Sequence, residues 1–257
     1  MTILVGVCCE DGVVIGADSV ATSAAGQQIL IKLPSNDKVV ILQGPQGPVI
    51  LAATGSIGLA QRSAELITGA LKDNFLNRSY VQFGADVSRR VRDEFTRTQV
   101  PFHQYEGLRF GALVAAPLEK RGRLIEFGTF DFQPEAHDGK TFFASLGSGQ
   151  MLADPFLVFL SRVLWNQKRP TVKLGRFGAY WALQHAITCA PGGVGHPIQM
   201  ATLTQNNKGQ WVAELVPEGS LQEISLHVEE LEKQIGEVAS ANISGAKPEP
   251  LPAPPAA

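Results

Sequence analysis

Residues 1–26 read MTILVGVCCEDGVVIGADSVATSAAG. Two apolar runs, 3–9 and 12–17, meet at Glu10-Asp11-Gly12, and an acidic-glycine turn between apolar runs marks a β-hairpin. Asp18 closes the second run. A carboxylate at the end of a buried strand is costly unless it is paired, so the hairpin calls for a cation from elsewhere in the chain. Directly behind the initiator methionine stands Thr2. As plain structure it is only the first residue of a strand.

Moving outward, further strands are expected at GQQILIKL and DKVVIL, then, after the turn GPQGP, at VILAATG. The period then changes. Ile57, Ala60, Ala64, Ile67, Leu71 and Phe75 recur at helical spacing, which predicts an amphipathic helix over 56–76. Val87, Val91 and Phe95 mark a second, over 81–98. Strands return at 108–117, 123–132 and 141–146, followed by helices at 150–167 and 174–189. PIQMATLT and QWVAELV close the pattern as a hairpin about QNNKG. A sheet with helices on one face needs something apolar on the other. The expected class is therefore α+β, a four-layer αββα sandwich with residues 1–219 as one domain.

Beyond it, Leu221, Ile224, Val228, Leu231, Ile235 and Val238 form a heptad-like stripe, so 220–240 is expected as an amphipathic helix whose seam packs on its own domain or on a neighbouring subunit. Residues 241–257, ending SGAKPEPLPAPPAA, are Pro/Ala-rich and expected to be disordered.

Bulk composition narrows the function. The chain has 257 residues, 44% of them hydrophobic, enough for one large core or two small ones. Net charge is −2 and the pI about 6.2, so no basic field exists for nucleic acid or an anionic membrane surface. No apolar run approaches the ~20 residues of a helical membrane span. The N-terminal run lacks the basic residues of a secretory signal. Cys8, Cys9 and Cys189 are an odd set, and the adjacent pair points to opposite faces of a strand, which fits a reducing cytosol. The five histidines, His103, His137, His185, His196 and His227, are scattered without ligand spacing. A cytoplasmic location is expected, with no metal and no cofactor.

Thr2 can carry chemistry of its own. Methionine aminopeptidases remove Met1 when the next residue is small, leaving Thr2 with a free α-amino group. Nucleophile and base then sit on one residue: Oγ attacks a carbonyl and the amine, with an ordinary pKa of about 7.7–8.0, takes its proton. A lysine paired with Asp18 would also depress the pKa of that amine by like-charge repulsion. Lys38, in SNDKVVIL, is expected to open a strand in the same sheet; Lys32 is its rival.

These residues resemble the proteasome β-type peptidases and the related bacterial peptidase HslV, N-terminal nucleophile hydrolases whose mature chains begin with the catalytic threonine. The stretch DGVVIGADSVAT carries the resemblance at the family's spacing from Thr2, and AATGS (52–56), LGSGQ (146–150) and PGGVGHPIQM (191–200) extend it over most of residues 2–203. It implies a sandwich of the N-terminal nucleophile hydrolase type, with Thr2, Asp18, Lys38, Ser148 and Gly55 as the catalytic set. Ser148 would orient the nucleophile and Gly55 would supply an oxyanion N–H where a side chain would obstruct. Thr22 would pair with the substrate backbone as an added strand. Ala53 and Ile57 would line a specificity pocket favouring apolar or neutral side chains. Where the family has an aspartate and a serine supporting the amine, this chain has Thr188 and Pro191, and proline offers no donor. The long C-terminal helix and tail resemble the betaproteobacterial proteasome homologues among the family's branches.

The resemblance implies a threonine endopeptidase that cleaves unfolded protein or peptide inside stacked homo-oligomeric rings of six or seven subunits per layer; it does not say whether an ATPase unfoldase feeds it. Two alternatives stand beside it: a weakly active or inactive scaffold of the same fold, and a small-molecule amidase.

Overall fold

In the computed structural model the described residues are 2–25, 28–34, 38–71, 78–97, 110–190 and 193–244, with the backbone alone described over 21–25 and 28–34. The opening hairpin forms as its pattern requires. β1 (Leu4–Cys8) and β2 (Gly12–Ala17) pair antiparallel from Leu4↔Ala17 to Cys8↔Val13. Every residue of both strands is buried, because α4 (Val172–Cys189) covers one face and β8 (Arg121–Phe127) packs against the other.

The hairpin is the middle of a five-stranded sheet, β10 (Phe143–Leu146)–β1–β2–β11 (Gln199–Gln205)–β12 (Trp211–Leu215). The second five-stranded sheet runs β5 (Val39–Gly44)–β6 (Gly47–Gly55)–β7 (Phe110–Leu118)–β8–β9 (Pro134–Ala136). Every pairing in both is antiparallel. A third element is a two-stranded ribbon, β3 (Val20–Ala25) with β4 (Gln28–Pro34). Besides α4, the helices are α1 (Ile57–Ala70), α2 (Tyr80–Arg97), α3 (Gln150–Val163) and α5 (Glu218–Ser244).

α1 and α2 lie on the second sheet through an aromatic core. Phe83, Val87, Val91 and Phe95 of α2 meet Leu51, Phe110, Val114 and Phe127, with Phe132 stacked on Phe110 and Phe127 at 5.3 and 4.8 Å between ring centres. Each such side chain contributes about 1.5–3 kcal/mol on burial. α3 and α4 pack on the first sheet and on each other.

The expected four-layer αββα sandwich of the N-terminal nucleophile hydrolase type is corrected to two five-stranded antiparallel sheets, a separate ribbon and five helices among the described residues. One element has no place in the four-layer scheme. The ribbon is a sheet of its own, hydrogen-bonded strand to strand only within itself among the described residues. The chain divides into two compact units, Met1–Pro217 and Glu218–Ala257, and α5 opens the second.

Smaller differences have local causes. Residues 128–132 turn rather than extend, with Phe132 N–H donating to Gly128 O at 3.1 Å, so the strand expected to reach 132 stops at Phe127. The helix expected to reach 167 ends at Val163, because Asn166 and Gln167 adopt left-handed backbone (φ 51° and 58°). Ile57 is exposed, and the buried face of α1 is Ser63, Ile67 and Ala70. α5 takes in residues 218–219 and 241–244, beyond both expected limits; Glu218 favours its N-terminus electrostatically. Phe75 and residues 245–257 lie outside the described residues. No helix among the described residues is long and apolar enough to cross a membrane. Among those residues, no group of three or more His, Cys, Asp or Glu side chains is placed to hold a metal ion.

Candidate active site

The register of the opening hairpin builds the site. With Leu4 opposite Ala17, the next residues outward are Ile3 and Asp18. Asp18 N–H donates to Ile3 O at 3.2 Å, and Ile3 N–H donates to Asp18 Oδ1 at 3.0 Å. Thr2 therefore sits just past the strand end, beside the carboxylate. It is held from the other side by the turn between β10 and α3. Thr2 N donates to Ser148 Oγ at 3.1 Å, and Thr2 O accepts from Gly149 N–H at 3.2 Å and from Ser148 Oγ at 3.5 Å.

That turn passes so close to Thr2 that only glycine fits. Gly147 has φ +100°, and a Cβ there would lie 2.2 Å from Thr2 O. Gly147→Ala should cost about 1–3 kcal/mol from backbone strain alone and push Thr2 out of place. Thermal unfolding and peptide hydrolysis measured together should both fall; unchanged values for both would contradict this packing.

Asp18 is fully buried. It accepts from Val20 N–H at 3.1 Å and Gly195 N–H at 3.3 Å in addition to Ile3 N–H. Its ion-pair partner is Lys38, with Nζ 2.7 Å from Oδ1. Four donors thus converge on one carboxylate, the satisfaction a buried charge requires. Lys38 spends all three of its N–H donors: on Asp18, on Val20 O at 2.5 Å, and on Thr2 Oγ1 at 3.4 Å. Burial pushes the Lys38 ammonium below its ordinary 10.5, against the charge of Asp18, which raises it. Lys38 does not stand in the sheet of Asp18. It directly precedes β5, the edge strand of the second sheet, so the pair spans the two sheets. Lys32 lies on β4 with Thr22 as its register partner on β3; both side chains lie outside the described residues.

Gly55 ends β6 with φ +102° and is exposed. Ala53 packs on the core beneath α1 and α2. Strand alternation sends the next side chain, Thr54, to the other face. There Thr54 Oγ1 borders the same space as Thr2 O: a Cβ on Gly147 would meet it at 3.3 Å. Ile57 opens α1 with its side chain exposed. Thr188 turns onto its own helix, Oγ1 donating to Gln184 O at 2.9 Å; Pro191 lies outside the described residues.

Several neighbours carry no clear mark in the sequence. Gly195 N–H reaches Asp18 from the loop before β11. Gln199 spans the space beside the ion pair, Nε2 donating to Ser19 Oγ at 2.6 Å and Oε1 accepting from Val39 N–H at 3.4 Å. A glutamine at the start of an apolar strand is the one signal that could have found it. The three cysteines are free, Cys8 and Cys9 buried and Cys189 exposed. Burial raises the pKa of both Cys8 and Cys9, so neither is an activated thiol.

No protein-family model and no curated protein sequence matches the chain. Solved structures do resemble it. Anbu (ancestral beta-subunit) from Yersinia bercovieri has a TM-score of 0.65 at 15% identity, over 97% of this chain and 100% of that one. A structure described as a helical assembly of the Anbu complex from Pseudomonas aeruginosa gives 0.68 at 16%, over 98% of each chain. A Gly-1 mutant of Anbu from Hyphomicrobium sp. strain MC1 gives 0.66 at 15%, over 98% of this chain and 100% of that one. At such identity the likeness is one of fold. It corrects the assignment to the proteasome β-type and HslV peptidases and to the betaproteobacterial branch, since these whole-chain matches are ancestral beta-subunits. A hairpin and a few glycine turns report geometry shared across a fold, not the branch within it.

Proposed function

We propose that the chain is an N-terminal threonine hydrolase that cleaves peptide bonds within a self-assembled oligomer. The observation that carries this reading is Lys38, whose one ammonium bridges the buried Asp18 and the hydroxyl of Thr2. With Met1 removed, Thr2 Oγ attacks the substrate carbonyl carbon and its proton passes to the α-amino group of the same residue. The Lys38 ammonium, fixed by Asp18, favours the developing alkoxide and discourages protonation of the amine. The N–H of Gly55 receives the oxyanion. As the C–N bond breaks, the amine returns its proton to the leaving nitrogen. Water then hydrolyses the ester on Oγ, with the amine again as base. Thr22 offers its strand backbone to the substrate, and Thr54 and Ile57 border the entrance.

The pH–rate profile tests this. The rate should rise as the Thr2 amine loses its proton, at or below the ordinary ~7.7–8.0. It should fall again as Lys38 loses its own, on an alkaline limb placed below 10.5 by burial. An activity still rising at pH 10.5 would remove Lys38 from the reaction. A second reading, an inactive scaffold, is favoured by Thr188, whose hydroxyl is spent on its own helix; a parent chain inert at every pH would establish it.

Self-association is part of the proposal. The Anbu complex from Pseudomonas aeruginosa forms a helical assembly. In this chain α3 leaves Met151, Val158 and Val163 exposed along one helix, an apolar surface that a second copy would cover. Native mass spectrometry at micromolar concentration should give a closed or helical oligomer. A monodisperse monomer would contradict it.

A further inference from the structure

Lys38 reaches Thr2 from one sheet and is held by Asp18 from the other, and among the described residues no strand of one five-stranded sheet is hydrogen-bonded in register to a strand of the other. The separation of the pair therefore depends on how the sheets are held against sliding. Interdigitated apolar side chains already hold the two faces against each other. A directional polar tie beside the pair would narrow the play that packing leaves at that point.

Gln199 has the placement for such a tie. It opens β11 and is paired in register with Ala17, the residue before Asp18. Its side chain leaves its own sheet. Nε2 donates to Ser19 Oγ, next to Asp18, and Oε1 accepts from the backbone N–H of Val39, next to Lys38. Ser19 is fully buried and Val39 nearly so. Val39 lies on an edge strand, and a buried N–H without an acceptor is costly. One amide thus joins the residue after the acid to the residue after its lysine partner, across the gap that the ion pair itself must span. We propose that Gln199 is a positioning residue that locks Asp18 and Lys38 in register across the two sheets. The inference rests on the hydrolase reading of the site for its effect on rate, and on geometry alone for the lock itself.

The test uses the full chain and Gln199→Met, which keeps length and removes the amide's bonds to Ser19 and Val39. Amide hydrogen exchange at Val39 should accelerate by about tenfold or more while the amides of β1 and β2 keep their protection. The Lys38 ammonium, followed by nitrogen-15 NMR, should titrate nearer its ordinary value as water enters. The kcat should fall about tenfold with KM held within about twofold, because a misplacement near 1 Å costs up to ~100-fold. Gln199→Glu keeps the acceptor for Val39 N–H, and Ser19 Oγ can turn to donate. It should restore Val39 protection and most of kcat, which a purely volumetric role would not do. Val39 exchange and Lys38 titration unchanged in Gln199→Met would overturn the lock. Both changed with kcat intact would overturn its role in positioning. If the parent cleaves no peptide, the hydrolase reading fails, and the exchange and titration results still decide the lock.

Discussion

Thr2→Ala should reduce hydrolysis of short peptides to background, a loss of about 1000-fold or more, while leaving the fold intact. The substitution removes the hydroxyl that Lys38 Nζ reaches at 3.4 Å, the one such hydroxyl among the described residues. It leaves the backbone bonds of Thr2 to Ser148 and Gly149, so the strand end keeps its place. Thr2→Ser retains the hydroxyl and should keep measurable activity, with a lower rate because serine lacks the methyl that restricts χ1. Steady-state kinetics on the three proteins, with circular dichroism as the control for folding, makes the comparison. Hydrolysis by Thr2→Ala at the parental rate would assign the chemistry to another residue.

Lys38→Ala should have the largest combined effect on activity and stability. It leaves Asp18, fully buried, without its counter-charge. Breaking a buried pair on one side costs about 3–5 kcal/mol. The three backbone donors that remain on Asp18, from Ile3, Val20 and Gly195, place this case near the lower end. At about 2–4 °C per kcal/mol for a domain of this size, Tm should drop by roughly 6–12 °C. Activity should fall at least about 100-fold, the scale of losing one electrostatic stabiliser of the reacting atoms. Adding Asp18→Asn to Lys38→Ala should recover part of the Tm and none of the activity, since stability suffers from the unpaired charge and catalysis from the missing ammonium. Lys32→Ala should leave both within a small factor of the parent. The reverse pattern, with Lys32 essential and Lys38 dispensable, would reassign the lysine.

How much of this is legible in the sequence differs from residue to residue. Asp18 is readable because a carboxylate at the end of an apolar strand demands a partner. The hairpin that presents it is readable because alternation and turn chemistry are local. Lys38 is readable as the partner, but not as a residue bordering the opposite sheet. Which edge a strand joins is a matter of long-range pairing that periodicity does not encode. The β3–β4 ribbon is hidden in part for the same reason: VATSAA has weak apolar content, and its pairing is with its own neighbour rather than with either sheet. Adjacency to Gly55 suggests Ala53 for the pocket. Alternation along β6 turns it to the core and Thr54 to the site, a phase that becomes clear only once the faces of the sheet are known. Gln199 and Gly195 carry little usable signal, because their contributions are a bridging amide and a backbone N–H set by tertiary packing.

The central claim is that Thr2, freed of Met1, holds nucleophile and base on one residue. Its most direct test is intact-mass and peptide-mapping analysis of the protein after treatment with a peptide epoxyketone, a reagent that needs a hydroxyl and an amine on the same residue. The expected result is a chain lacking Met1 and carrying one adduct, mapped to Thr2 and absent from Thr2→Ala. Active protein with Met1 fully retained, or an adduct mapped to another residue, would contradict it.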